Sequence, residues 1–159
     1  MPSVEKNITV NLPKLKKELA AFKKFLKKEK LAEAKEIIPF FKSNKNLSAL
    51  MGGLGTGVYE HDFLEFEFSF FNKYRPDIVA GDLNSKRFCF IELEDACETT
   101  LFNNRNKKSG KSDHGTRLGK GLGQIFDWLR EFDLVKNQQY QNVFANMKSA
   151  KFDVILILG

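Results

Sequence analysis

The chain has 159 residues, a formal net charge of +6 and a pI near 9.3. That is the length of one ordinary domain, able to bury a core without staples, and the basic balance favours polyanionic partners, though it is as much a statement about solubility as about binding. No apolar run is long enough to cross a bilayer, and the N-terminal MPSVEKNITVN lacks the apolar segment of a signal peptide, so a cytoplasmic protein without a membrane partner is expected.

From Asn11 the sequence reads as helix. Asn11 is a cap, Pro13 is tolerated in the first turn, and Leu15, Leu19, Phe22 and Leu26 recur at helical spacing. The other faces are lysine (Lys14, Lys16, Lys17, Lys23, Lys24, Lys27, Lys28 and Lys30). Such a helix is first a solvated face whose stems cover apolar surface and only second a track for phosphates. A second helix over 31–41 turns Leu31, Ala34, Ile37, Ile38 and Phe41 to the core, and residues 43–46 should break it. The glycine-rich LSALMGGLGTGV, 47–58, reads as a turn of helix followed by a loop; no strand precedes it and no GK[ST] follows, so it is no phosphate cradle.

Residues 64–71 alternate, with Leu64, Phe66, Phe68 and Phe70 on one face and Glu65, Glu67, Ser69 and Phe71 on the other, a half-buried strand. Glu65 and Glu67 can join the acidic cluster, but are read first as exposed or paired with lysine across the strands. His61 and His114 have no second ligand at a metal-binding spacing and are read as surface or hydrogen-bonding residues. Pro76-Asp77 opens a short apolar run, and the polar connection 82–87 folds it into a hairpin with the strand RFCFIELED. With period two, Phe88, Phe90, Glu92 and Glu94 leave one face of that strand, and Cys89, Ile91 and Leu93 the other. Neighbouring strands lie roughly 4.8 Å apart, so Asp77 can meet Glu92 and Glu94 around one point, a candidate cation site. Cys89, on the apolar face, is a small buried hydrophobe; with Cys97 it makes no disulfide framework.

Residues 103–120, NNRNKKSGKSDHGTRLGK, cannot build core. They read either as a solvated insertion or as an electrostatic clamp on nucleic acid, formed by Arg105, Lys107, Lys108, Lys111, Arg117 and Lys120 beside the acidic strand. A helix follows over about 122–132, with Ile125, Leu129 and Phe132 on one face and Gln124 and Trp128 stacked at i and i+4; Trp128 is read as core. Residues 137–142 are a polar connection and 143–147 a helical turn. The closing FDVILIL, 152–158, is a strand covered on both faces.

Pro76-Asp77, a spacer, then Glu92-Leu93-Glu94 resembles the PD-(D/E)xK nuclease signature with glutamate in the lysine place. The longer string FCFIELEDA, followed by Leu101-Phe102 and by GLGQIFDWL, resembles the nuclease domain of the Shedu bacterial immune proteins, over residues 74–129. The resemblance implies a mixed α/β (α+β) sheet of αβββαβ order, and the pattern of elements agrees with it. It is expected in a single 1–159 domain, with a helical part 11–42 and a sheet core 60–159, cut from a longer chain.

What the resemblance implies for function is a metal-dependent DNA endonuclease of a bacterial defence against phage or plasmids. Asp77 and Glu92 would hold Mg2+ or Mn2+, Glu94 would be a base or second ligand, and Gln124 would stand beside the metal. DNA is the expected partner, with RNA left open. A second reading keeps the fold and drops the chemistry, leaving a module that binds nucleic acid or senses an invader. A third is an assembly part, a homo-oligomer whose phenylalanine-rich surface packs between copies.

Overall fold

The computed structural model describes residues 8–28, 30–69, 73–97, 101, 115–134 and 150–158. Around a four-stranded mixed sheet, helices stand on both faces. β1 (Ile8–Thr9) pairs antiparallel with β2 (Glu60–His61) as a small separate ladder. The main sheet has the order β3 (Phe63–Phe66), β4 (Ile78–Asp82), β5 (Arg87–Leu93), β6 (Lys151–Ile157). The first three strands form an antiparallel meander. β6, reached through a helix, runs parallel to β5, as a crossover connection requires. The αβββαβ order of elements is present.

Helix α1 (Leu12–Phe25) starts where the sequence says, with Asn11 Oδ1 accepting from the Lys14 N–H at 3.0 Å. Leu15, Leu19 and Phe22 turn to the core, while Leu26 stays largely exposed. The second helix begins as a π-helical turn (Glu33–Ile37) and continues as α2 (Ile38–Ser43), burying Ile37, Ile38 and Phe41 as expected. The break expected over 43–46 shrinks to Asn44, after which α3 (Lys45–Thr56) starts at once.

That helix corrects the reading of 47–58 as mainly loop. Its glycines cost helix propensity but let the backbone lie directly on the sheet: a Cβ at Gly55 would sit 2.6 Å from Cys89 Sγ. Gly57, at φ +70°, then ends the helix as a left-handed cap. The strand read over 64–71 also ends early, at Phe66. Glu67 takes φ +53°, which reverses the alternation, so that Phe66 joins one core and Phe68 the other. Phe70 and Phe71 lie outside the described residues.

The two cores follow the alternation of β5. Cys89, Ile91 and Leu93 pack with α1 to α3, and burial pushes the Cys89 thiol up to about 12. Phe88 and Phe90 pack with Phe63, Val79, Ile125 and Trp128 beneath α4 (Thr116–Leu134). Trp128 is 1 % exposed and belongs to the core. Helix α4 begins six residues before the expected Leu122, so the glycines of GKGLG are helical and Arg117 and Lys120 stand on its first turns instead of in a loop. β6 feeds both cores, through Phe152, Val154 and Leu156 on one face and Ile155 and Ile157 on the other. Yet it is half-buried, because it is an outer strand of the sheet among the described residues. His61 is no surface residue either. It is buried between α3 and the sheet, against the backbone of Ala49 and Gly81, and burial holds its pKa below the usual value. His114 and the segments expected over 137–142 and 143–147 lie outside the described residues.

Candidate metal centre

The β4–β5 register decides where the acids go. Ile78 is opposite Ile91, so Asp77, one residue before β4, stands across from Glu92. Ile78 and Ala80 belong to the α1–α3 core and Val79 to the α4 core. By alternation Asp77 therefore shares the α4 face with Val79, Phe90 and Glu92. Asp77 is fixed there because its Oδ2 accepts the Leu93 N–H at 2.8 Å and its carbonyl takes the Glu67 N–H at 2.9 Å. Glu94 continues the face just past β5, its N–H bonded to the Ile157 carbonyl at 3.0 Å.

All three carboxylates are buried, with Asp77 at 6 %, Glu92 at 5 % and Glu94 at 4 % exposure. Burial is the largest cause of their perturbation. It pushes Asp77 up to about 7 against the opposing bond from the Leu93 N–H, and neighbouring Glu33, Glu67 and Glu94 add to the rise. Glu92 rises to about 8, through burial and then the charges of Asp77 and Glu33, partly offset by a hydrogen bond from the Gln124 side chain. Glu94 is raised by burial and by Glu33, and lowered by Arg117 and, further down, Lys120. Oε2 of Glu92 and Oε2 of Glu94 have no hydrogen-bond partner. A buried carboxylate oxygen in that condition costs free energy until a proton or a cation reaches it.

Helix α4 closes the site from above. Gly121 lies on β6 so closely that a Cβ there would be 2.7 Å from Leu156 Cδ1 and 3.5 Å from Glu94 Cγ. One turn on, Gln124 reaches Glu92, which brings the predicted amide to the predicted acid. Arg117, expected as part of a clamp on nucleic acid, is drawn to two acids. Its guanidinium pairs with Asp95 at 2.7 Å and lies 3.7 Å from Glu94. Arg105, Lys107, Lys108 and Lys111 lie outside the described residues.

Sequence reasoning passes over one acid and reads another first as exposed or lysine-paired. Glu33, in the π-helical turn, donates its N–H to Asp95 Oδ1 at 2.8 Å, and its charge is felt by Asp77, Glu92 and Glu94. Burial and Asp95 raise its own pKa. The only signal is a carboxylate in a stretch that reads as ordinary helix; nothing local announces a π-turn, although such turns recur at functional sites. Glu65, read first as exposed or lysine-paired, is 4 % exposed, has an unpartnered Oε1 and is raised by burial. Its alternation with Phe63 puts it on the α4 face. Glu67 does pair with cations, Lys42 and Arg75.

Among the described residues, no group of three or more histidine, cysteine or carboxylate side chains is arranged to hold a metal ion. What fits a cation is narrower: Asp77 and Glu92 on one face, one oxygen of Glu92 unsatisfied, and more acids around them than cations.

The fold and this site define a mixed-sheet α/β domain with a buried carboxylate cluster at the end of its central hairpin. The family model described as "Shedu protein SduA, C-terminal" matches residues 16–159. The chain belongs to that family. No curated protein and no solved structure matches it. No helix among the described residues is long and apolar enough to cross a membrane.

Proposed function

We propose that the chain is a metal-dependent phosphodiesterase acting on DNA, in bacterial defence against phage or plasmids. The observation that carries this is the surplus of buried negative charge around Asp77 and Glu92, with Glu92 Oε2 unpartnered. A buried cluster of this kind is stabilised by binding a cation. Mg2+ is commonly held by one or two carboxylates, with water and substrate phosphate completing its shell, so two acids are a sufficient protein contribution. Family membership supports the defence setting.

In this reading Asp77 and Glu92 would hold Mg2+ or Mn2+, Asp77 oriented by the Leu93 N–H and Glu92 by Gln124. What the bound ion supplies is Lewis acidity toward the phosphate and a lower pKa for the attacking water. Glu94 would take the proton of that water as the water oxygen bonds to phosphorus and the bond from phosphorus to the leaving sugar oxygen breaks; burial raises its pKa above the ordinary carboxylate value, which strengthens it as a base. Arg117 and Lys120, both near Glu94, would supply positive charge that offsets the repulsion between these acids and a phosphate. The basic residues Arg105, Lys107, Lys108 and Lys111 hold the rest of the DNA backbone.

The test is cleavage of plasmid and linear DNA in Mg2+ or Mn2+, beside the Glu92→Ala variant. Cleavage by the parent alone is expected; metal-independent cleavage, or equal cleavage by the variant, would refute it. One observation favours the second reading, a binding module without chemistry. The lysine place holds Glu94, and the guanidinium beside it, Arg117, is engaged with Asp95. DNA binding without cleavage in any divalent cation would select that reading.

A further inference from the structure

Helix α1 spends one face on the core, through Leu15, Leu19 and Phe22, and offers the opposite one to solvent with a single sign of charge. At about 100° per residue, Lys16, Lys17, Lys23, Lys24 and, in the turn after the helix, Lys27 fall within an arc of about 120°, shared only with Pro13 and Ala20. All five lysines are exposed, and their row is about 16 Å long. Lys28 pairs with Glu36 at 2.7 Å, but among the described residues these five pair with no acid. Glu18, the acid of the helix itself, is held by the Asn46 side chain and the Leu47 N–H. Such a placement works against the helix. Its first turn holds Lys14 and no acid, opposing the dipole, and Lys14 with Lys17 and Lys23 with Lys27 are like-charge neighbours. A face needed only for solubility interleaves signs, as α4 does with Asp127, Arg130 and Glu131. An unmixed row kept at that cost points to a polyanion outside the helix.

The row leads to the candidate metal centre. Phe22, Phe25 and Leu26, at the end of α1, line one cavity with Leu31, Leu93 and Glu94, so Lys23, Lys24 and Lys27 stand at the end of the row nearer the acids. Three features choose the polyanion. A membrane surface takes up an apolar face, and that of α1 is already in the core, with Leu12 and Leu26 exposed only at its two ends. Single-stranded nucleic acid is held on aromatic platforms between cations, and the lysine arc contains no aromatic residue. A straight, rigid row of cations matches instead the stiff, densely charged backbone of a duplex. We propose that the face formed by Lys16, Lys17, Lys23, Lys24 and Lys27 is the track that holds the phosphate backbone of duplex DNA beyond the point of cutting. This rests on the reading of Asp77 and Glu92 as a centre acting on DNA, and adds to it where the uncut arm of the substrate lies.

Fluorescence anisotropy of a duplex of about 30 base pairs with the whole chain, over about 50–300 mM NaCl, tests this. EDTA is present, so that binding is read without metal-dependent cutting. Lys16→Gln, Lys17→Gln, Lys23→Gln, Lys24→Gln and Lys27→Gln together keep helix propensity. They should weaken binding at about 100 mM salt by roughly 10-fold or more, and flatten the slope of log affinity against log salt by up to about 0.9 for each phosphate released. The urea midpoint should hold or rise, because like-charge neighbours are removed. Arginine at the same five positions should restore affinity and slope, since the track needs charge there. A parent that binds no duplex overturns the DNA reading itself, and the track with it. A parent that binds duplex, beside a glutamine variant of equal affinity and slope, overturns the track alone. So does a loss confined to single strands or to phosphatidylserine vesicles while duplex binding persists.

Discussion

The buried acids make stability depend on pH in a direction opposite to that of ordinary salt-bridged carboxylates. Asp77 moves from 3.8 to about 7 and Glu92 from 4.5 to about 8. A carboxyl whose folded pKa is raised binds its proton more tightly in the native state. Its contribution is therefore complete below the unfolded pKa and is lost as pH climbs through the folded one. For Asp77 alone, a rise of about three units at about 1.36 kcal/mol per unit removes on the order of 4 kcal/mol between about pH 4 and pH 8. The second ionisation adds less than its separate value, because the two acids already see each other. Against the roughly 5–15 kcal/mol of a typical domain this is a large share. Urea midpoints without divalent cation should fall steadily from pH 5.5 to pH 8.5. Millimolar Mg2+ should recover most of the loss at pH 8.5 and little at pH 5.5, where the acids are protonated. Glu92→Gln keeps shape and removes one titration, so it should flatten the profile. A flat parent profile, or a slope left unchanged by Asp77→Asn and Glu92→Gln together, would refute the link between these acids and stability.

Glu94→Gln should cut the cleavage rate strongly if Glu94 accepts the water's proton, by roughly 100-fold or more, while leaving DNA binding equal or tighter; single-turnover assays beside binding at fixed salt separate these. Glu94→Lys, which restores the commoner signature, should be no better than Glu94→Gln, because Glu33 and Arg117 are arranged around a carboxylate. Neutralising Arg105, Lys107, Lys108 and Lys111 together should flatten the slope of log affinity against log salt by up to about 0.9 for each phosphate no longer neutralised; an unchanged slope would move the phosphates to the lysines of α1. Trp128→Ala should cost about 3–5 kcal/mol by urea titration, the usual result of emptying an aromatic site in a core, and a loss under about 1 kcal/mol would contradict its burial.

The hairpin and its acids are legible in the sequence because both rest on local rules. Alternation along β5 separates the phenylalanines and glutamates from Cys89, Ile91 and Leu93, and the short turn fixes which residue faces Asp77. Gln124 is drawn to the acids only by the family resemblance, since helical spacing by itself stacks it with Trp128 and says nothing of Glu92. What escapes depends on contacts distant in sequence. The glycines of α3 look like loop until the sheet they lie on is known, with Cys89 against Gly55. Those at the start of α4 look like loop for the same reason, with Leu156 against Gly121. Glu65 looks exposed because alternation names a face without saying what covers it. Glu33 joins the acids only through the fold, its turn docked beside Asp95. The Asp95 partner of Arg117 is not legible in the sequence, since the pairing needs the extra turns at the start of α4.

Everything proposed for the chemistry depends on Asp77 and Glu92 holding a divalent cation between them. Crystals of the chain soaked in MnCl2 at pH 8, with data collected at the manganese edge, address this without reference to any activity. An anomalous peak between the Asp77 and Glu92 carboxylates, absent from Glu92→Gln crystals treated alike, is the expected outcome. No peak at that place in well-ordered crystals, or one that persists in Glu92→Gln, would rule the site out.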